Sequence, residues 1–476
     1  MASWLVVSLS ALVAAVLLQF LLPHSQKLPV LVGGRVDEQF SDIERLFRDE
    51  ILPDEREGAA FAVYYKGRLV VDLWGGYADR SALRPWESDT MTVVYSSTKA
   101  IGSAMIAMLV SRGNLKYEDL VIKHWPEFGK HGKENVTVDW LMGHKSGIAF
   151  LANPMTLEEG NNHAFISQII ENAVPHWPPG TQTGYHAITF GWLIDQLIRR
   201  VDPQHRSAAQ YYQEEIQQLS QDNDFYVGLP EQLEHRVARI TNPQMSESLM
   251  GAFSSGLLLA QTMYRYWQTD GLCMKAVSNP VFLSVMSDEI PYNNPRVHQL
   301  AQFSSTGIGT ARGLASVFNT VLQKNLINRQ VYERIATPTI HDIDLVILHG
   351  IPKGHGFMHS VHPNDKTKWI VGHPGNGGQS VEFVADVNGG PLVLAFVRNG
   401  LKPGLTGLNN YLALRNAAEK AKRRRTEKEE ARSQDDAAQQ DESVIVTEAG
   451  HDPVAAGQDV QVAAGHVEEV DLLFFT

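Results

Sequence analysis

Apolar runs at the two ends of the chain predict β-strands, whereas the middle has the periodicity of helices. Residues 59–65 and 68–76 are strand-like and are joined by Lys66-Gly67, which is typical of a tight hairpin turn. Later strand-like runs cover residues 345–348, 354–360, 368–372, 380–386 and 392–398. This order predicts an α/β (α+β) fold: one antiparallel sheet built from both chain ends and flanked by helices, beside a mainly helical lobe at residues 114–323.

The predicted helices that flank the sheet come from both ends of the chain. Residues 40–52 have apolar side chains at helical spacing, and residues 23–39 before them are a polar connection. Residues 305–322 predict a further helix, which the chain enters through residues 306–311. A final helix is expected at residues 411–432 and becomes heavily charged beyond its first turns.

The chain begins with an uninterrupted uncharged run at residues 4–22, about the length that spans a bilayer. We expect an uncleaved membrane anchor, with a cleaved secretory signal as the alternative, because no basic residue precedes the run and no clear cleavage site follows it. The sequon Asn135-Val136-Thr137 can be glycosylated only if the domain faces a secretory lumen, whereas Lys27 and Arg35 weakly favour a cytoplasmic domain. The orientation stays open.

Composition shifts divide the chain into three segments. Residues 1–28 form the anchor or signal, residues 29–415 a folded domain, and residues 416–476 a charged helical extension with a disordered acidic tail. We expect the protein to be membrane-associated through a single N-terminal anchor, with secretion as the alternative. The charged tail is a possible binding site for a protein partner.

Overall charge and cysteine content exclude several classes of function. The chain has 476 residues, 43% hydrophobic and 20% charged, with a formal net charge of −12 and no basic patch in its apolar-rich body. A nucleic-acid partner is therefore not expected. Cys273 is the single cysteine, which rules out an intrachain disulfide and leaves a thiolate metal site without support. No metal and no organic cofactor are expected.

Residues 93–110 are the stretch that carries candidate chemistry. A β-branched run leads at Ser96 into a long, small and almost uncharged segment, so Ser96 and Lys99 lie three residues apart in the first turn of a buried helix. A lysine in such surroundings loses proton affinity and can activate a neighbouring serine hydroxyl. The alternative is a Ser N-cap beside a solvent-facing Lys, because a Ser-x-x-Lys pair arises by chance about once in such a chain.

Two loops offer further candidate residues. Residues 178–187 form a Gly/Pro-rich loop with Tyr185 just before a predicted helix, where a phenol near a lysine ammonium would be stabilised as phenolate and act as a base. The alternative is a structural tyrosine. Residues 372–380 place His373, Gly375 and Asn376 in a Gly-dense strand edge, which is either a hairpin turn or a place where backbone N–H groups face a ligand.

The order Ser96-Ser97-Thr98-Lys99, then Tyr185, then His373-Pro374-Gly375 resembles the three motifs of the serine β-lactamase-like superfamily, which includes class C β-lactamases, D-Ala carboxypeptidases and related esterases. The resemblance covers residues 40–412. It implies that Ser96 is the acylated nucleophile, Lys99 its partner and Tyr185 the general base. The N–H groups of Ser96 and Asn376 would form the oxyanion hole, with His373 and Gly375 beside the substrate.

Two positions depart from the family pattern. Ala187 stands where the tyrosine motif has an Asn, and His373 stands where β-lactamases have a Lys that binds the carboxylate of the drug. We therefore predict a serine hydrolase that cleaves an ester or amide of a small molecule or peptide, rather than a penicillinase. Because a histidine ordinarily titrates near neutrality, we also expect activity to change between about pH 6 and 8.

Two other functions remain open. The first is a scaffold or interaction protein of the same fold with weak catalysis, suggested by Ala187 and by the charged tail. The second is a D-Ala carboxypeptidase-like peptidase. Inactivity of the serine would favour the scaffold, whereas turnover of peptides that end in a carboxylate would favour the peptidase.

Overall fold

The computed structural model describes residues 28–245, 247, 256–384 and 390–445. Most of the expected anchor (residues 1–27) and the end of the expected tail (residues 446–476) therefore lie outside the described residues. Within the described ranges, no helix is both long and apolar enough to cross a bilayer. The predictions of a membrane anchor and of a disordered tail remain predictions.

The strands form one large sheet and one small sheet. Their bounds are β1 Val32–Val36, β2 Gly58–Tyr65, β3 Arg68–Asp79, β4 Arg84–Pro85, β5 Thr92–Val93, β6 Phe225–Val227, β7 Gly307–Gly309, β8 Lys353–Gly354, β9 Phe357–Val361, β10 Trp369–Gly375, β11 Gln379–Val384 and β12 Leu392–Arg398. The large sheet has the order β1-β3-β2-β12-β11-β10-β9-β8, with β4 paired to β3. All of its neighbouring strands are antiparallel. The predicted sheet from both chain ends is confirmed.

The α-helices lie on both faces of the large sheet. Most of them come from the part of the chain between the N-terminal and the C-terminal strands of that sheet. Their bounds are α1 Ser41–Leu46, α2 Leu52–Asp54, α3 Thr98–Ser111, α4 Val138–Met142, α5 Leu157–Gly160, α6 His163–Asn172, α7 Thr189–Val201, α8 Ala208–Glu215, α9 Gly256–Gln268, α10 Leu272–Ser278, α11 Pro295–His298, α12 Ala311–Gln323, α13 Arg329–Ile335 and α14 Asn409–Ile445. A π-helical turn, Phe47–Ile51, joins α1 to α2. The 3₁₀ turns are Glu38–Phe40, Tyr95–Ser97, Val121–Lys123, Pro126–Phe128, Gln217–Leu219, Glu231–Arg236, Val281–Leu283, Pro291–Asn293 and Gly404–Leu408.

Strand β2 shows how the sheet divides the apolar core. Its eight residues are all buried, and successive side chains point to opposite faces. Phe61 and Tyr65 face the core formed with α1 and the start of α14. Tyr64 on the other face joins the larger core that includes α3 and the helical lobe. Helix α3 is buried almost throughout, as its uncharged sequence predicts.

The structure corrects three expectations about local structure. Residues 23–39 are not simply a connection, because β1 pairs with β3 and the Trp74 indole lies over the unsubstituted Gly33. Residues 345–348 form a turn rather than a strand, since the Asp344 carboxylate accepts the N–H groups of Val346 and Ile347. The 306–311 entry to α12 contains the short strand β7.

The chain forms two compact units, residues 1–424 and 425–476. The first contains both sheets, α1 to α13 and the beginning of α14. In the second, α14 continues to Ile445 and therefore includes residues 433–445, which the sequence assigned to the tail. The predicted domain boundary at residue 415 remains a prediction.

Candidate active site

Ser96 lies at a strained turn between β5 and α3. Tyr95 before it has a positive φ of 47°, an uncommon conformation for a residue with a bulky side chain. The Tyr95 ring is buried and packs against Tyr292 with ring centroids 4.6 Å apart, which holds the turn in place. The 3₁₀ turn Tyr95–Ser97 then leads directly into α3. Ser96 is thereby presented half-buried at the start of a helix.

Lys99 lies one turn into this segment and is completely buried. Its Nζ is 3.4 Å from Ser96 Oγ, 2.7 Å from the carbonyl oxygen of Ala187 and 2.9 Å from that of Ser304. Burial holds the pKa of the Lys99 amine well below its usual value. A solvent-facing lysine, the alternative interpretation of the motif, is therefore wrong.

Three oxygen atoms surround the Lys99 amine. A neutral amine has two N–H donors and one lone pair, whereas an ammonium has three donors. The carbonyls of Ala187 and Ser304 accept two N–H bonds, and the remaining neighbour is the Ser96 hydroxyl. An ammonium would donate to all three oxygens, so it is the burial-lowered pKa of Lys99 that favours the neutral amine, whose lone pair can then take the proton of Ser96.

Tyr185 approaches the same pair from the loop before α7. Its ring centroid is 4.8 Å from Lys99 Nζ, and its hydroxyl is 3.5 Å from His373 Nε2. Burial raises the pKa of the Tyr185 phenol well above its usual value, which the nearby Ser96 hydroxyl only partly offsets. Tyr185 therefore rests as a phenol, and the expectation of a resting phenolate is wrong. The pKa of Lys99 is lowered, so it supplies no standing ammonium that could stabilise the anion.

The backbone of Tyr185 is fixed by a buried ion pair that sequence reasoning missed. Asp344 Oδ1 accepts the Tyr185 N–H at 2.9 Å, and Asp344 is paired with Lys353, with both side chains buried. Lys353 holds the pKa of the Asp344 carboxyl below its usual value, in spite of the burial that opposes ionisation. No motif marks Asp344, because it acts on the main chain of a residue 159 positions away.

His373 lies near the end of β10 and faces Tyr185. Its Nδ1 is 2.7 Å from the carbonyl oxygen of Pro374, and its Nε2 is 3.5 Å from the Tyr185 hydroxyl. Burial first and the neighbouring Lys99 second lower the pKa of His373 to about 3. The expectation of a histidine that titrates between pH 6 and 8 is therefore wrong, since removal from water penalises the charged ring.

Gly375 allows β10 to approach the nucleophile turn closely. A side chain at this position would overlap the carbonyl oxygen of Val94, two residues before Ser96. The Ser97 hydroxyl donates to the carbonyl of His373 at 3.0 Å and joins the two segments. Asn376 follows in the exposed turn that connects β10 to β11. The Ser96 and Asn376 N–H groups as an oxyanion hole remain a prediction that this proximity favours.

A second buried network supports the tyrosine loop. Ser146 Oγ is 2.7 Å from His186 Nε2, and His186 Nδ1 is 2.7 Å from the carbonyl oxygen of Gly184. His144 Nδ1 accepts the His186 N–H at 3.2 Å, and its ring meets the Tyr185 ring edge-on. Ser146 and His186 are fully buried, so they brace the loop rather than meet a substrate.

Ala187 takes part in the site through its backbone. Its carbonyl is the shortest contact of the Lys99 amine. The Asn that the family pattern has at this position is thus not needed to hold the lysine. In the described part of the chain, no group of His, Cys, Asp or Glu side chains is arranged to bind a metal ion.

Comparison with known proteins finds relatives of this chain. A family model described as Beta-lactamase matches residues 43–419. The esterase/beta-lactamase LipL of Mycobacterium tuberculosis is 30% identical over 292 residues, which are 61% of this chain and 64% of LipL. The chain therefore spans slightly less than two thirds of that relative.

Solved structures extend the likeness to the whole fold. A family VIII carboxylesterase has a TM-score of 0.70 and 25% identity, with 82% of this chain and 99% of that chain covered. A penicillin-binding protein homolog from Caulobacter crescentus has a TM-score of 0.67 and 26% identity, over 82% and 99% of the two chains. The fold prediction is confirmed. From the family match over most of its length, together with these neighbours, we conclude that the chain belongs to the beta-lactamase family.

Proposed function

We propose that this protein is a serine hydrolase that cleaves an uncharged ester or amide through an acyl-enzyme on Ser96. The observation that carries the proposal is the buried Lys99 amine, which two backbone carbonyls hold 3.4 Å from the Ser96 hydroxyl and whose pKa burial lowers. Similarity to a carboxylesterase and to the esterase/beta-lactamase LipL supports this class of reaction.

Acylation begins with proton transfer from Ser96 Oγ to the neutral Lys99 amine while Oγ attacks the acyl carbon. The carbonyl oxygen becomes an oxyanion that the N–H groups of Ser96 and Asn376 stabilise. When the bond to the leaving group breaks, the Tyr185 phenol donates its proton to that group and takes one from the Lys99 ammonium. The products of this step are the acyl-enzyme and the free alcohol or amine.

Deacylation reverses the roles of these groups. A water attacks the acyl carbon and passes one proton to Tyr185, which passes its own to the Lys99 amine. Collapse of the second oxyanion expels Ser96 Oγ, which recovers its proton from Lys99. The carboxylic acid leaves, and the site returns to a neutral lysine beside a neutral tyrosine.

The charge state of His373 supports an uncharged acyl group. β-Lactamases have a lysine at this position, whereas the buried His373 is neutral at physiological pH because its pKa is about 3. Lys353 is paired with Asp344 and offers no free charge to a substrate. A substrate carboxylate would thus lose its usual partner, which argues against the carboxypeptidase-like alternative.

A fluorophosphonate probe tests the nucleophile. We expect one covalent adduct by intact mass on the full chain in detergent, and none on Ser96→Ala. Lys99→Ala and Tyr185→Phe should retain the fold and lose several orders of magnitude in turnover. Absence of the adduct from folded wild type would favour the scaffold instead.

A matched pair of p-nitrophenyl esters tests the substrate charge. The butyrate ester and the succinate monoester have acyl chains of similar length, but only the second ends in a carboxylate. We expect hydrolysis of the first to be much faster. Faster turnover of the succinate ester would contradict the uncharged site and favour the peptidase.

We further propose that residues 1–28 anchor the protein to a membrane, because the uncharged run at residues 4–22 is about long enough to span a bilayer. Secretion after cleavage is the alternative, and binding of a protein partner by the charged tail is a separate proposal. Alkaline carbonate extraction of cell membranes separates the first two. An anchored chain stays in the pellet, and a cleaved chain appears in the medium with a lower mass.

A further inference from the structure

From Gln261 onward, the described side chains of helix α9 place polar groups toward the protein and apolar groups outward. The half-buried side chains that it turns toward the rest of the protein are Thr262 and Arg265, at i and i+3. Thr262 Oγ1 is 3.0 Å from His349 Nε2, and Arg265 donates to the carbonyl of Leu348 at 2.6 Å. Polar contacts therefore attach this face to the body of the protein.

The outward face of α9 is apolar and aromatic. Trp267, Met263 and Tyr264 are 78%, 61% and 60% exposed, and they occupy adjacent positions on one side of the helix. Met245 and Met286 before and after the helix are also exposed. A surface helix of a soluble domain normally turns its apolar stripe inward, so a contiguous outward patch indicates a binding surface.

Helix α9 lies near the candidate active site. The loop that it contacts, residues 345–349, follows Asp344, whose carboxylate binds the backbone of Tyr185. The inner face of α9 thus contacts the short segment that follows Asp344, the residue that fixes the backbone of the tyrosine loop.

The chain enters the domain at the same end of the sheet as the nucleophile. Residues from six strands meet at this end: Gly375 lies opposite Gln379, whose side-chain oxygen accepts the Arg398 N–H, and Arg398, Ala59, Gly75 and Val32 follow in register. With strands about 4.8 Å apart, Val32 lies about 24 Å from Gly375. Residues 23–31 extend up to roughly 30 Å. A membrane span at residues 4–22 would therefore hold this end of the domain close to the bilayer.

We propose that the outward face of α9, formed by Met263, Tyr264 and Trp267, lies in the interfacial layer of a lipid bilayer. Trp and Tyr prefer this layer because their rings are apolar while their N–H and O–H groups stay hydrated. No Lys or Arg is on the outward face, and Arg265 is on the inner one. The contact is therefore expected with zwitterionic as well as anionic lipid. It is independent of the proposed hydrolase activity.

Quenching by brominated lipid tests the proposal on the full chain reconstituted into phosphatidylcholine vesicles. Wild type is compared with Trp267→Phe in vesicles with and without dibromo-phosphatidylcholine, so the difference isolates position 267 from the other tryptophans, including Trp4. We expect the brominated lipid to quench a component of the fluorescence that Trp267→Phe lacks.

A matched control places the probe at the opposite end of the domain. Leu219 is also exposed and follows α8, whose Glu215 is paired with Arg112 just beyond the end of α3. Helix α3 is about 20 Å long, so this point is far from Ser96. In the Trp267→Phe protein, Leu219→Trp should add fluorescence that acrylamide quenches and brominated lipid does not.

Two results would overturn the proposal. Equal lipid quenching of wild type and Trp267→Phe would mean that Trp267 stays in water, even if the anchor holds the protein on the vesicle. Protection of Trp267 from both acrylamide and brominated lipid would mean that protein covers α9, either a second copy or the N-terminal segment folded back. Neither result affects the fluorophosphonate test of Ser96.

Discussion

Protonation of His373 should destabilise the folded protein at mildly acidic pH. The ring is buried between Tyr185 and Lys99, with a pKa of about 3 in place of the usual 6.5. Between these two values the unfolded chain binds a proton and the folded chain does not, so stability falls as pH decreases. The contribution of the neutral His373 ring to the free energy of unfolding is complete above about pH 6.5 and is progressively lost toward pH 3.

The size of this effect follows from the difference between the two pKa values. Each pH unit below the unfolded pKa costs about 1.4 kcal/mol while the native ring stays neutral. The 1.5 units from 6.5 to pH 5 therefore correspond to about 2 kcal/mol from this one side chain. His373→Gln keeps an uncharged polar group of similar size and removes the titration.

Urea unfolding of both proteins at pH 7 and pH 5 measures the effect. We expect the free energy of unfolding of wild type to fall by about 2 kcal/mol more than that of His373→Gln between these conditions. The exposed His163, replaced by Gln, serves as a control that leaves the wild-type difference unchanged. An equal fall in wild type and His373→Gln would refute a buried neutral ring. The same reasoning predicts that His373 adds no inflection to the activity profile between pH 6 and 8.

Two further substitutions probe the architecture around Ser96. In Gly375→Ala the new methyl group should overlap the Val94 carbonyl and displace the end of β10. We expect kcat to fall roughly 10²-fold or more, as it does when an oxyanion-hole donor is lost. Activity near wild type would exclude a role of Gly375 in positioning the oxyanion hole. Arg398→Met should cost about 3–5 kcal/mol of unfolding free energy, because the buried Glu55 carboxylate loses its charged partner and keeps only the Asn410 amide as a donor. The double variant with Glu55→Gln should recover part of that loss in urea titrations, and no recovery would argue against the buried pair.

Local chemistry in the sequence was enough to predict part of the site. The Ser96 and Lys99 spacing fixes their proximity once α3 forms, and the apolar sequence of α3 predicts the burial that lowers the lysine pKa. Strand β12 was predicted at residues 392–398, as observed, since a continuous apolar run bounded by turn residues identifies a central strand.

The features of the site that the sequence did not predict depend on contacts between residues that are far apart in the chain. Asp344 shapes its own turn and also binds Tyr185, and neither effect leaves a pattern that periodicity detects. The pKa of His373 depends on strands and loops that surround it only in the folded chain. Strand β1 was missed because Gly33 and Gly34 are unusual in a strand; Gly33 accommodates the Trp74 ring there, and Gly34 the backbone of Asp72 and Leu73.

The order of strands in the large sheet also has a consequence for biosynthesis. Strand β2 pairs with β12, about 330 residues later in the chain, so one edge of the N-terminal hairpin has no partner while the helical lobe is being translated. At about 5–20 residues per second, this interval lasts on the order of 20–70 s. An apolar unpaired strand is prone to aggregate during such an interval. The nascent chain should therefore depend on chaperones until the ribosome has released residue 398, and premature termination before β12 should yield insoluble protein.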